Sequence, residues 1–219
     1  MDIRTKEAVR YLGYRKCTVD DKTLQVIRES FQELERFADK KSIYRLFELS
    51  VTDENKLLIG NAEIHSRNLR ANLKDCTNVL LFASTLGVDV DRHIRRMQLV
   101  DMARAVVMQA CAATLLEEYC DELQDKIAKQ LRSKGKYIRP RFSPGYGDFS
   151  IHHQKDLLSM LEAPKKIGLA MTESCMLTPT KSVTAVIGIS NIEVNCNSNE
   201  CEQCKKADCI YKKELKNAR

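Results

Sequence analysis

Leu24, Ile27, Phe31, Leu34 and Phe37 recur at spacings of three and four, which predicts an amphipathic helix over Asp20 to Asp39, opened by Asp20 and Asp21. The period then changes. IYRLFELSV (43–51) alternates as a strand does, and KLLIGNAEI (56–64) and TNVLLFASTLG (77–87) supply two more strands around a short helix near Ser66 to Cys76. Asp89 begins a second helical region. From Val100 to Leu131 the pattern is continuous helix, apolar nearly all round in its first half and amphipathic in its second, and so is expected to be covered on every side against a sheet. Gly135 ends it. HHQKDLLSMLEA (152–163) predicts a short helix stopped by Pro164, and AMTESCML (170–177) and SVTAVIGIS (182–190) predict paired strands joined by the TPTK turn. Strands and helices in separate runs give an α+β fold: a mostly antiparallel twisted sheet packed with helices, including one long buried helix.

Composition narrows the class. The chain has 219 residues, 43% of them hydrophobic, enough to bury a core. The longest nearly uncharged apolar run, AVVMQACAATLL (105–116), is too short for a bilayer and is flanked by Arg104 and Glu117. MDIRTKEAVRYLGYRK lacks the apolar centre of a signal peptide, so a cytoplasmic location is expected, with no membrane association. The net charge of +6 is spread among both signs, and no nucleic-acid partner is expected. One stretch is different: Lys126, Lys129, Arg132, Lys134, Lys136, Arg139 and Arg141 follow one another with no acidic residue between them. Two readings stand, a helix end whose cations suit its dipole and a site for an anionic group.

That basic run leads into RPRFSPGYGDFS (139–150). Pro140 and Pro144 fix their own φ and extend the residues before them, while Gly145 and Gly147 permit conformations or approaches that a β-carbon blocks. The loop is therefore a rigid display of backbone polar groups. Arg141 adds a planar, permanently charged fork suited to a carboxylate, and Tyr146 a flat ring. A ligand with a carboxylate and a nucleobase or sulfonium fits these parts; so does a rigid surface turn whose arginine pairs with a nearby acid.

The segment R-x-x-P-G-Y, here Arg141 to Tyr146, followed by MTESCMLTPTKSVTAVIGIS, resembles the activation domain of cobalamin-dependent methionine synthase, which binds S-adenosylmethionine. RYLGY (10–14) and ASTLGVDVDRHI (83–94) resemble the free-standing form of that domain. The resemblance implies that Arg141 pairs with the methionine carboxylate, that the backbone at Ser143 and Gly145 bonds the ligand, and that Tyr146 packs against it. It also implies a role: an accessory protein that reactivates a cobalamin-dependent methyltransferase, most simply methionine synthase, by reductive methylation of cob(II)alamin. Cobalamin comes with a partner protein, and the electron from a flavodoxin- or ferredoxin-like donor. No catalytic side chain is needed, because the cofactor does the chemistry. The chain is then an activation subunit rather than a self-contained enzyme. With no visible cobalamin, homocysteine or folate module, it is expected to act in trans. The family's P-x-x-P-D-H-T-E continuation is replaced here by GDFSIHHQKD, and the acidic ligand contact from the family's N-terminal region has no matching position.

Nine cysteines complete the reading. Cys17, Cys76, Cys111, Cys120 and Cys175 lie in apolar or mixed segments and read as small core residues. Cys196, Cys201, Cys204 and Cys209 form C-x4-C-x2-C-x4-C, spacing that lets four thiolates converge on zinc or a small iron–sulfur cluster; a reduced flexible tail and a pair of disulfides are the alternatives. His152 and His153 have no third ligand. The chain thus divides into an activation-like domain (1–190) and a cysteine-rich tail (191–219). A redox or metal module working through those cysteines and docking to a corrinoid protein is the competing function.

Overall fold

The chain is described here from a computed structural model that defines residues 1–14, 19–53 and 56–193. Helices α1 (Ile3–Tyr11) and α2 (Asp21–Phe37) lead into strand β1 (Lys41–Asp53), the hairpin β2 (Lys56–Ile59) and β3 (Ala62–His65), helix α3 (Arg67–Asn72) and strand β4 (Cys76–Thr85). Helices α4 (Val88–Val100) and α5 (Met102–Arg132) and the short strand β5 (Tyr137–Ile138) follow. A 3-10 turn (Ile151–His153), α6 (Gln154–Leu161), α7 (Ala163–Ile167), β6 (Ala170–Met171), β7 (Leu177–Thr178) and β8 (Ser182–Ser190) complete it.

Six strands form one sheet in the order β3-β2-β1-β4-β8-β5, each neighbouring pair antiparallel. Strands β4 and β8 are apolar on both faces because both faces are covered. Leu80, Phe82, Ala185, Ile187 and Ile189 join a core beneath α1, α2, α4 and α5. Val79, Leu81, Ala83 and Val186 join a second core with β2, β3, α3, α6 and α7. The α+β class, the antiparallel sheet and the long helix are as expected from the sequence.

Helix α2 begins as expected: the Asp20 side chain accepts from the Thr23 amide. Four expectations are corrected. KLLIGNAEI is two strands, because Gly60 at φ +57 turns the chain in its middle. SVTAVIGIS does not pair with AMTESCML; it lies between β4 and β5, where both its faces are buried, and AMTESCML folds on itself as β6 and β7. Pro164 does not stop a helix but sits in the first turn of α7, where its missing N–H costs nothing; Glu162 at φ +53 ends α6. Helix α5 is not covered all round. Ala105, Met108, Cys111, Ala112 and Leu115 are buried, while Met102 is 60% and Val106 53% exposed. None of the described helices is long and apolar enough to cross a membrane.

Candidate ligand-binding site

The loop 139–150 is the continuation of β5 along β8. Ile138 pairs with Ile189, the Arg139 amide donates to the Gly188 carbonyl at 2.8 Å, and Phe142 and Val186 exchange both backbone bonds at 3.0 and 2.9 Å. Pro140 and Arg141 fall between these attachment points, opposite Ile187 alone, the residue count of a β-bulge. The bulge sends the two arginines to opposite sides. Arg139, 4% exposed, reaches the carbonyls of Lys74 and Ile192 at 3.2 and 3.3 Å. It crosses β8 at Gly188, where a β-carbon would stand 3.0 Å from the arginine Cγ and 2.6 Å from Cys76 Sγ. Only glycine leaves that passage open.

Arg141 turns instead toward α5. Its Nη2 donates to Asp121 Oδ1 at 2.7 Å and Glu117 Oε2 at 3.0 Å, and Nη1 to Gln124 Oε1 at 3.2 Å. Residues 117, 121 and 124 are one stripe of the helix, spaced four and three apart. The guanidinium side chain is 15% exposed, its acid partners 49% and 69%. Burial works against its charge, but its anionic neighbours, the carboxylates of Asp121 and Glu117, outweigh that and hold its proton more tightly than usual. Cys120 is pushed up to about 12 by burial and stays a neutral thiol. Of the anticipated core cysteines, Cys111 and Cys120 are buried, Cys76 and Cys175 partly so; Cys17 lies outside the described residues.

Past Arg141 the loop bonds to itself. The Gly145 amide donates to the Phe149 carbonyl at 2.7 Å, Tyr146 N–H to Ser143 at 3.2 Å, and Phe149 N–H to Tyr146 at 3.0 Å. The Ser143 N–H and the Gly145 carbonyl are left outside these bonds. Gly145 and Gly147 adopt φ of +97 and +55, and at Gly147 a β-carbon would strike the Asn68 side chain at 2.8 Å, so glycine is required there twice over. Phe149 anchors the whole turn: 1% exposed, it stacks with Phe142 and His153. Tyr146 meets Phe142 edge-on and stays 62% exposed.

Asp148 fastens the loop to α3, accepting from Ser66 Oγ at 2.5 Å, Arg67 N at 2.8 Å and Asn68 N at 3.1 Å. Partial burial pushes this carboxyl up, yet the three bonds together hold it below its ordinary value. A depressed carboxyl stabilises the fold above the unfolded value and stops doing so as pH falls through the lower folded value. Asp148→Ala is expected to lose about 1 kcal/mol at neutral pH. Urea titrations across pH should show the gap to the parent protein closing below about pH 4; a gap independent of pH would refute it.

Arg141, Ser143, Gly145 and Tyr146 all lie on this loop: Arg141 turns to α5, and Tyr146 stands against Phe142. The sequence reading missed Glu117, Asp121 and Gln124; their spacing on one helix stripe was the available signal. Tyr11, inside the RYLGY segment, has its phenol held above the usual range first by burial and then by the charge of Glu117. Cys196, Cys201, Cys204 and Cys209 lie outside the described residues. His153 Nδ1 bonds Asp156 at 2.9 Å and His152 Nδ1 lies 3.4 Å from Cys175 Sγ; no cluster of three metal-ligating side chains occurs among the described residues.

The family model for the vitamin B12 dependent methionine synthase activation domain matches residues 68–195, more than half of the chain. The crystal structure of the MetH reactivation domain bound to AdoHcy aligns with a TM-score of 0.62, covering 91% of this chain and 81% of that one at 13% identity, a likeness of fold. No curated protein matches the chain.

Proposed function

The chain belongs to the activation-domain family of vitamin B12 dependent methionine synthase, and on that premise we propose that it binds S-adenosylmethionine and reactivates a cobalamin-dependent methyltransferase, methionine synthase, carried on another polypeptide. The observation that carries the reading is the loop 139–150: fixed to β8 at one end and to α3 at the other, it carries a charged fork at Arg141 and an exposed aromatic ring at Tyr146.

The residues present suit the ligand. Arg141 commits Nη1 and Nη2 to α5 but has no partner for its Nε–H among the described residues, so a carboxylate can join the fork by sharing it or by displacing one acid. Ser143 N–H and the Gly145 carbonyl offer a donor and an acceptor a few residues away. Tyr146 offers a face to a flat or cationic group. A bound sulfonium would supply a methyl group to the partner's cobalamin, with the electron that this requires coming from a flavodoxin- or ferredoxin-like donor. The chain's own residues hold the ligand by its carboxylate, orient it, and leave its open side toward the partner.

The cysteine array, C-x4-C-x2-C-x4-C over Cys196, Cys201, Cys204 and Cys209, is assigned in this reading to one zinc ion or a small iron–sulfur cluster. The test uses full-length protein purified without oxygen, its zinc and iron content measured first. Mixed with a cob(II)alamin-loaded methionine synthase, S-adenosylmethionine and a reductant, it is expected to produce the methylcobalamin absorption spectrum. No spectral change with a competent synthase would sink the reading. An iron-containing protein indifferent to S-adenosylmethionine would favour the redox-module alternative.

A further inference from the structure

The pairing of Arg141 leaves an imbalance of charge at the site. One guanidinium faces two carboxylates, Glu117 at 3.0 Å and Asp121 at 2.7 Å, and these acids are 49% and 69% exposed where the arginine is 15% exposed. Each acid therefore shows solvent a face that the arginine does not occupy. Glu118, on the next stripe of α5, is taken up by Arg4 at 3.0 Å and is not part of this surplus. Tyr11, 44% exposed, lies near enough to Glu117 for that acid, after burial, to raise its phenol, and the 62% exposed ring of Tyr146 stands on the same loop as Arg141; Arg10, 5.0 Å from the Tyr11 ring, is paired with Glu7 and adds no net charge. An anchored cation flanked by surplus carboxylates and aromatic rings matches a zwitterion that carries an additional positive charge.

We propose that Glu117 and Asp121 are specificity residues that select a ligand with a positively charged sulfur over its neutral thioether counterpart. The inference rests on the proposed S-adenosylmethionine reading and deepens it. Both ligands present the same amino-acid carboxylate to Arg141, so that contact cannot tell them apart. Only the centre beyond it differs, cationic before methyl transfer and neutral after. Carboxylates beside that centre attract the first and lose the attraction to the second, which favours loading with methyl donor and release of demethylated product. The acids thus do two things: they hold the Arg141 fork in place, and they read the charge of what the fork has captured.

Calorimetric titrations of the full-length protein with S-adenosylmethionine, S-adenosylhomocysteine and the amine-bearing analogue sinefungin test this, for the parent, Glu117→Gln and Asp121→Asn. Both substitutions keep shape and hydrogen-bonding capacity at exposed positions, and a thermal melt checks that each variant folds. The parent should prefer the two cationic ligands. In each variant the preference for S-adenosylmethionine over S-adenosylhomocysteine should shrink by roughly three- to fivefold, the scale of one exposed ion pair, and sinefungin should follow S-adenosylmethionine. Because freeing Arg141 from an acid alters the affinity for all three ligands alike, the ratio isolates the effect of charge. A ratio unchanged in both variants, or sinefungin behaving like the thioether, overturns the inference and leaves the binding reading standing. A parent that binds none of the three overturns the binding reading, and the inference falls with it.

Discussion

Arg141→Ala is expected to weaken S-adenosylmethionine binding by about 10- to 100-fold, the cost of roughly 1.5–3 kcal/mol for losing charge-assisted hydrogen bonds to one anionic group. The fold should survive, because the partners left behind are exposed carboxylates that water can solvate: Glu117 at 49% and Asp121 at 69%. Arg141→Lys should recover only part of the affinity. A lysine keeps the charge but not the planar fork that engages three α5 acceptors and a ligand together. Calorimetry on melt-checked variants decides the matter. Parent-like affinity in Arg141→Ala would mean that the guanidinium is only a strut between the loop and α5.

Phe149→Ala is expected to be the most damaging single change in the loop. The ring is 1% exposed and belongs to the core that includes Leu69, Leu157, Leu161 and Val186. Truncation of a buried phenylalanine costs about 3–5 kcal/mol, which for a chain of this size lowers Tm by on the order of 10 °C. The damage should reach function as well. Phe149 supplies the carbonyl that holds the Gly145 amide and stacks on Phe142, which pins the loop to β8. Ligand affinity measured well below Tm should therefore fall, and Phe149→Leu should retain more of both properties than alanine does. An alanine variant that melts within a degree or two of the parent would show that the ring contributes no anchoring.

How much of this was legible in the sequence depended on distance along the chain. Helix α2 could be read because its apolar stripe and its Asp20 cap are local, and the rigid loop because proline and glycine act on their own backbone. The partners of β8 were not legible. SVTAVIGIS carries apolar residues on both faces, which marks a strand covered on both sides, but the turn before it suggested a hairpin with AMTESCML, when its neighbours are β4 and the distant β5. KLLIGNAEI buries Leu57 and Ile59 and then Ala62 and Ile64, so its alternation slips by one at Gly60 and Asn61, a Gly-Asn turn signal that the strand assignment passed over. At the site, the sequence supplied Arg141 but not its counter-ions. Glu117 is 24 residues away and Asp121 20, and only the packing of β5 beside α5 brings them to the guanidinium.

The run of loop along β8 has one more consequence. An unfinished sheet edge is a template on which another chain can add a strand, and β8 would be such an edge if β5 ended the sheet cleanly. It does not end cleanly. After two paired residues the loop continues to occupy the Gly188 and Val186 positions, and it brings a proline with no N–H to offer and a buried arginine that alters the strand's course. At the other end of the sheet, β3 is four residues long and turns Glu63 and His65 outward. The segment that forms the proposed cradle is therefore also a guard against self-association. Substitutions that loosen it are expected to tell first on solubility at high protein concentration.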